Sequence, residues 1–270
     1  MAHDKGYVHQ TRSVLRDQKY LICCLLATFV IWLIPYLLEQ HITVFIADLT
    51  YFPLSVFLVM VAGYRLIQSY FAKGSSKTWL VFLCSAVAMM IAENIWSLNE
   101  LILGIKPFPS YADASFVATY LIWIPFFIML IKPLKNHISK KIMIIAICIS
   151  CAIIIPNLYY LIQSAQGAYT VENTLLASYP IIDGVIFFPA SIGMILFFKG
   201  KTNFGPSLIF FAMVSQLVAD VLYQITTTNE TYYSGSITEL FYYLAFIIFM
   251  FGAYNLRNLE KQKETGATKI

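Results

Sequence analysis

The sequence predicts an all-α polytopic membrane protein with eight transmembrane helices. Of its 270 residues, 59% are hydrophobic and only 12% are charged, a balance that excludes an ordinary soluble domain. The apolar residues also fall into segments of about 20, enough for one helix to cross the roughly 30 Å hydrocarbon layer. The eight predicted segments are residues 20–38, 50–71, 79–98, 112–131, 142–162, 176–198, 207–226 and 237–254.

The basic residues predict the orientation of these helices. Seventeen of the eighteen Lys and Arg residues are assigned to one side of the predicted membrane, and only Lys106 lies on the other. Arg65 falls near the end of the second segment and is counted with the connection that follows it. Basic loops stay in the cytoplasm, so both termini are expected there. These short loops need only anionic lipid as a partner, and nothing in them predicts nucleic-acid binding.

Short matches in the same order predict that the two halves of the chain are an internal duplication. The paired residues are Pro35 and Pro156, Asp48 and Asp183, Pro53 and Pro189, Glu93 and Asp220, and Asp113 and Glu239. The predicted organisation is a cytoplasmic segment 1–19, a four-helix repeat 20–133, a basic linker 134–141, a second repeat 142–256 and a cytoplasmic tail 257–270. Halves with an even number of helices run in parallel, and binding sites tend to form between such halves. The prolines either kink or break their helices, or simply set a bend near a helix end.

Six acidic residues are expected in the outer half of the membrane in two tiers. At 1.5 Å per helical residue, Glu93, Asp183 and Asp220 lie about 20 to 22 Å from the cytoplasmic side, and Asp48, Asp113 and Glu239 lie about 25 to 28 Å from it. No Lys or Arg is expected at that level. Because an intramembrane carboxylate needs a partner, either these acids are protonated or water and a cation reach them.

Aromatic residues follow these acids by one helical turn. Trp96, Tyr223 and Tyr242 each lie three residues after an acid, on the same helix face, as do Tyr51 and Phe116. An acid beside an aromatic ring suits an organic ammonium ion, through charge and cation–π contact. We therefore expect a ligand site built from the six acids and from Trp96, Tyr223 and Tyr242.

Two structural alternatives stay open for these residues. Trp and Tyr form belts at membrane interfaces without binding a ligand. Asp48, Asp113 and Glu239 are also expected at the start of their helices, where a carboxylate caps free amide groups.

No motif predicts catalysis. The sequence shows no nucleophile with a base, no phosphate-binding loop and no histidine pair at haem-ligand spacing, so an enzyme is the least favoured class and no cofactor is expected. Metal binding is left open. The five cysteines all fall in apolar segments and are expected to be small hydrophobic residues.

The stretch from Pro107 to Phe116, running on to Tyr120, resembles a recurrent segment of prokaryotic eight-helix membrane input modules. The resemblance extends more loosely to Glu93–Trp96 and to the regions of Asp220 and Glu239. Such modules often precede histidine kinase or diguanylate cyclase domains, so the resemblance implies a sensor in a prokaryotic plasma membrane. Only sixteen residues follow Tyr254, so any signal is expected to pass to a separate protein.

The sequence therefore predicts a sensor or receptor-like module with an outward-facing acidic and aromatic cavity for a cation or a cationic small molecule. One alternative is a transporter of a cation or an organic cation, in which the duplicated halves rock about the same site. A second is an accessory subunit of a membrane complex, in which the acids contact a partner.

Overall fold

The computed structural model describes residues 2–72, 76–165, 170–198 and 204–256, and these residues form helices and loops with no strand. A π-helical turn, Leu98–Ile102, extends α3, and a 3-10 turn, Lys132–His137, follows α4. The helices are α1 (Ala2–Tyr36), α2 (Gln40–Phe71), α3 (Ser76–Ser97), α4 (Tyr111–Ile131), α5 (Lys140–Ala165), α6 (Val171–Phe198), α7 (Phe204–Thr228) and α8 (Ile237–Asn255).

Eight helices in the described part of the chain are long and apolar enough to cross a membrane. Their surface is apolar, with side chains such as Ile144, Ile155 and Ile162 of α5 exposed, whereas all six predicted acids are buried. This distribution suits a protein whose surroundings are lipid and whose polar groups must find partners inside. The prediction of an all-α protein with eight such helices is confirmed.

Several helices begin earlier than the apolar segments predict. The largest differences are in α1, which begins at Ala2 rather than at residue 20, and in α2, which begins at Gln40 rather than at residue 50, so Asp48 lies inside α2. Pro53, Pro156 and Pro189 lie inside α2, α5 and α6, which continue through them, so the prediction of broken helices is wrong there. Pro35 lies one residue before the end of α1.

Six of the helices form a closed ring. In ring order they are α2, α3, α4, α6, α7 and α8, and α8 contacts α2 to complete the circle. Helix α1 packs outside this ring against α8 and α2, and α5 packs outside it against α6. Helices α3 and α7 therefore lie on opposite sides of the ring.

The two ends of the ring differ in charge. We call the end with the α3–α4 and α7–α8 connections (98–110 and 229–236) the acidic end, and the end with the α4–α5 connection (132–139) the basic end. All six predicted acids lie in the part of their helices nearer the acidic end.

The interior near the basic end is filled by an aromatic layer consisting of Phe82, Trp123, Phe126 and Phe249. Phe82 lies 4.9 Å from Phe126 and 6.3 Å from Phe249, and Trp123 lies 5.3 Å from Phe249, measured between ring centroids. All four side chains are at most 3% exposed. The layer packs α3, α4 and α8 together below the acids.

Arg65 is not in a connection, as predicted, but inside α2, where it is completely buried. Its guanidinium carbon lies 4.5 Å from the centroid of the Trp79 ring, a cation–π contact, and its Nη1 donates to Gln68 Oε1 at 2.9 Å. Six residues separate it from the end of α2, so it lies about 9 Å from the basic end. It is therefore a buried cation on the half of the ring away from the acids.

We expect Gly193→Ala to destabilise the ring. A Cβ atom at this position of α6 would overlap the ring of Phe210 on α7, which is itself completely buried and has no free space to move into. Overpacking of this kind lowers the free energy of unfolding by about 1 to 3 kcal/mol, so the melting temperature in detergent should fall. Gly63→Ala on α2 is the matched control, because a Cβ atom there meets nothing within 4 Å. Equal melting temperatures for the two variants would contradict the close α6–α7 contact.

Candidate functional site

The structure divides the acids into two groups that lie side by side, and each group contains acids from both of the predicted tiers. The first acidic group consists of Asp48 on α2, Glu93 on α3 and Glu239 on α8, and Glu100 of the π-helical turn joins it. Glu93 is within electrostatic range of Glu239 and Asp48, and Asp48 is within range of Glu100. The second acidic group consists of Asp113 on α4, Asp183 on α6 and Asp220 on α7.

Two tyrosine hydroxyl groups donate hydrogen bonds to Glu239. Tyr51 on α2 donates to Glu239 Oε2, and Tyr232 donates to Oε1 at 2.7 Å. Burial and the nearby carboxylate of Glu239 raise the pKa of Tyr232 well above its ordinary value, so its hydroxyl keeps the proton that it donates. Glu239 is thus held as an acceptor by α2 and by the α7–α8 connection.

The same connection also reaches Glu100. Ser234 Oγ lies 2.5 Å from Glu100 Oε2, and Trp96 Nε1 donates to that oxygen at 3.2 Å. Asp48 lies beside Ser234 and Glu100, yet neither of its buried oxygens has a donor in hydrogen-bonding geometry. Hydrogen-bond donors therefore serve Glu239 and Glu100 in the first acidic group but not Asp48.

Asp220 is the centre of the second acidic group. Its Oδ1 accepts from Tyr120 at 2.7 Å and from Tyr242 at 2.8 Å, and Gln216 Nε2 donates to the Tyr120 hydroxyl at 2.9 Å. Asp183 is within hydrogen-bond reach of Asp220. Two carboxyl groups this close can share one proton.

Asp113 is both a helix cap and a site residue. Its Oδ2 accepts from the backbone amide of Ser110 at 2.7 Å, and Ser110 Oγ accepts from the amide of Ala112 at 3.1 Å, which makes a capping box at the start of α4. Its Oδ1 accepts from Tyr179 at 2.8 Å.

The capping alternative fails for the other two acids that it was offered to explain. Asp48 lies well inside α2. Glu239 lies in the first turn of α8, but its carboxylate accepts from Tyr51 and Tyr232 rather than from free amides.

A cavity lies between the two acidic groups. Its walls carry Glu93 and Glu239 from the first group and Asp113 and Asp220 from the second, and no Lys or Arg is among its lining residues in the described part of the chain. The cavity holds about 650 Å³ of empty space with its opening included. It is narrow, with room for about four water molecules. Asp48 and Asp183 are not among the residues that line the cavity.

Aromatic rings form one side of the cavity. The centroid of Trp96 lies 6.1 Å from Tyr223 and 6.0 Å from Tyr232, with angles of 67° and 83° between the planes. Phe116 packs against the same Trp96 at 6.2 Å. Trp96 and Tyr223 were expected beside Glu93 and Asp220, and their two rings are in contact with each other. Tyr242 donates directly to Asp220.

Several residues of the site were not in the predicted ligand set. Glu100 lies seven residues after Glu93 and Gln216 four before Asp220, spacings that return to the same helix face, so the sequence carries a signal for both. Tyr179 on α6 and Tyr232 in the α7–α8 connection carry no such signal, because only the ring order brings them to the acids.

The chemistry of the cavity lining suits binding of a cation. The described residues contain no group of three or more His, Cys, Asp or Glu side chains with the geometry of a metal site. What the cavity offers is carboxylate acceptors and π faces, the two features that bind an ammonium ion.

Comparison of the chain with protein-family models, with curated proteins and with solved structures finds no significant match. Function is therefore inferred from the site itself.

We expect Tyr120→Phe to destabilise the protein, because it removes a donor to buried Asp220 and leaves the Gln216 amide without that acceptor. The loss of such a hydrogen bond lowers the free energy of unfolding by about 1 to 3 kcal/mol, measurable as a lower melting temperature. Tyr159→Phe on α5 is the control, because Tyr159 is 65% exposed. If the two variants have the same melting temperature, the Tyr120–Asp220 hydrogen bond makes no net contribution to stability.

Proposed function

We propose that the chain is an integral membrane sensor of a prokaryotic plasma membrane that binds a cation or a cationic small molecule. The observation that carries this proposal is the cavity, where four carboxylates from four helices face one narrow space with no Lys or Arg in its lining. Buried carboxylates without a basic partner favour a cationic ligand. The adjacent rings of Trp96 and Tyr223 add cation–π attraction.

We also propose that the acidic end faces outwards and that both termini are cytoplasmic. The distribution of Lys and Arg in the sequence supports this orientation through the positive-inside rule. A ligand would then enter from outside the cell.

The proposed duplication of residues 20–133 and 142–256 is supported by the ring. The α4–α6 and α8–α2 contacts are equivalent under this repeat. The two acidic groups are also equivalent, since Asp48, Glu93 and Glu239 correspond to Asp183, Asp220 and Asp113. Each group therefore takes two acids from one half and the third from the other, and the cavity lies between the halves, where repeat proteins commonly bind ligands.

Signalling follows from this position. A ligand that prefers one arrangement of the two halves shifts the population towards it, and the change reaches the loops at the basic end. A separate protein with an output domain would receive the signal there, as the input-module resemblance implies.

The aromatic layer argues against the transporter alternative. A cation leaving the cavity towards the basic end would have to pass Phe82, Phe126 and Phe249, which are packed ring to ring. None of these side chains has a polar atom to replace lost hydration.

We expect n-butylammonium chloride to raise the melting temperature of the purified full chain above that in an equal concentration of KCl. The double variant Glu93→Gln/Asp220→Asn should lose this shift, because it removes two cavity carboxylates while keeping their size. Glu172→Gln, which removes an exposed acid at the same end, should keep it. A shift that persists unchanged in the double variant would contradict a cation site in this cavity.

We expect native mass spectrometry of the gently extracted chain to detect a co-purifying protein with a signalling output domain, because the signal must leave through a partner. Co-purification of a multi-subunit enzyme instead would favour the accessory-subunit alternative. Uptake of radiolabelled n-butylammonium into liposomes containing the chain alone would favour the transporter.

A further inference from the structure

The cavity has buried carboxylates on two opposite sides. Glu93 on α3 is 8% exposed, lines the cavity and accepts no hydrogen bond from any described residue. Asp220 on α7 is 6% exposed and also lines the cavity, its Oδ1 accepts from Tyr120 and Tyr242, and Asp183 is within hydrogen-bond reach of it. Since α3 and α7 lie on opposite sides of the ring, the two carboxylates line the cavity from opposite sides, and Glu93 is the one that lacks a donor.

The cavity also has apolar and aromatic lining. Met89, Trp96, Phe116 and Leu176 contribute to it, together with the ring of Tyr223. The cavity therefore combines carboxylates on opposite sides with apolar side chains and ring faces.

We infer that the ligand is a linear aliphatic diamine, with one ammonium group at Glu93 and Glu239 and the other at Asp220. This inference rests on the proposed cation site and specifies its ligand. Two carboxyl groups of each acidic group line the cavity, so a single ammonium group would leave one pair without a cation, which is costly for buried carboxylates. Two ammonium groups joined by methylenes supply a cation to each pair and place the chain against the apolar lining.

The shape and chemistry of the cavity also exclude other organic cations. Room for about four waters admits an unbranched chain but not a bulky ring system. A quaternary ammonium has no N–H group, so it would leave Glu93 without a donor. A primary ammonium supplies three N–H donors at each end.

The test compares 1,4-diaminobutane with 1-aminobutane on the purified full chain, by isothermal titration at equal ionic strength set with KCl. The two probes differ by one ammonium group. We expect the diamine to bind at least about tenfold more tightly, because it adds a charge-assisted hydrogen bond to a buried carboxylate. Diamines of three to six carbons should show an optimum length, whereas the matching monoamines should not, and this series needs no variant.

Single amide variants place the two ends. Glu93→Gln and Asp220→Asn should each reduce the affinity for the diamine to about that for the monoamine. Glu172→Gln should leave the affinity unchanged. Unliganded melting temperatures report whether each variant is folded.

Equal affinity for diamine and monoamine would overturn the diamine inference and leave the single-cation site standing. A diamine preference that survives both amide variants would also overturn it, because the second ammonium would then bind elsewhere. Failure of both probes to bind would contradict the proposed cation site as well.

Discussion

The structure depends on one constraint, which is that the buried carboxylates have no Lys or Arg beside them among the residues that the structure describes. In such surroundings an unpartnered charge is strongly unfavourable, so every carboxyl group needs a hydroxyl donor, a shared proton or a bound cation. Phenol groups provide most of the donors. Tyr51 and Tyr232 serve Glu239, Tyr120 and Tyr242 serve Asp220, and Tyr179 serves Asp113.

These hydrogen bonds also hold the ring together, because donor and acceptor always come from different elements. The Tyr51–Glu239 bond joins α2 to α8, and the Tyr179–Asp113 bond joins α6 to α4. Those are the two contacts that close the ring between the proposed halves. The groups that create the cavity are therefore also the groups that fix the relative position of its walls, and a ligand that binds there acts directly on the contact between the halves.

The sequence predicts the eight helices well because the length of an apolar segment is a local property, and this length determines whether the segment can cross a membrane. It predicts helix ends less well, since polar residues such as Gln40 lower the local hydropathy yet still belong to α2. Arg65 illustrates another limit, because its charge alone assigns it to a connection, whereas contact with Trp79 accommodates its guanidinium inside the bundle.

The acidic groups show where sequence reasoning stops for the site. Helical rise gives the height of Glu93, Asp183 and Asp220 in the membrane, but which acid meets which depends on the order of helices around the ring. That order is tertiary information. The same is true of Tyr232, whose place beside Glu239 follows from the path of the α7–α8 connection rather than from any periodicity.

Electrostatics along the ring explain why a bound cation would stay at the acidic end. The cavity offers carboxylates, the aromatic layer below it offers no polar acceptor, and Arg65 adds a buried positive charge on the half near the basic end. A cation moving from the cavity towards that end would lose its anionic partners, cross Phe82 and Phe126 without water, and approach a like charge in a medium of low dielectric constant. Each step raises its free energy. Under the proposed function, the free energy of binding then acts on the packing of the helices that carry the acids, as a receptor requires.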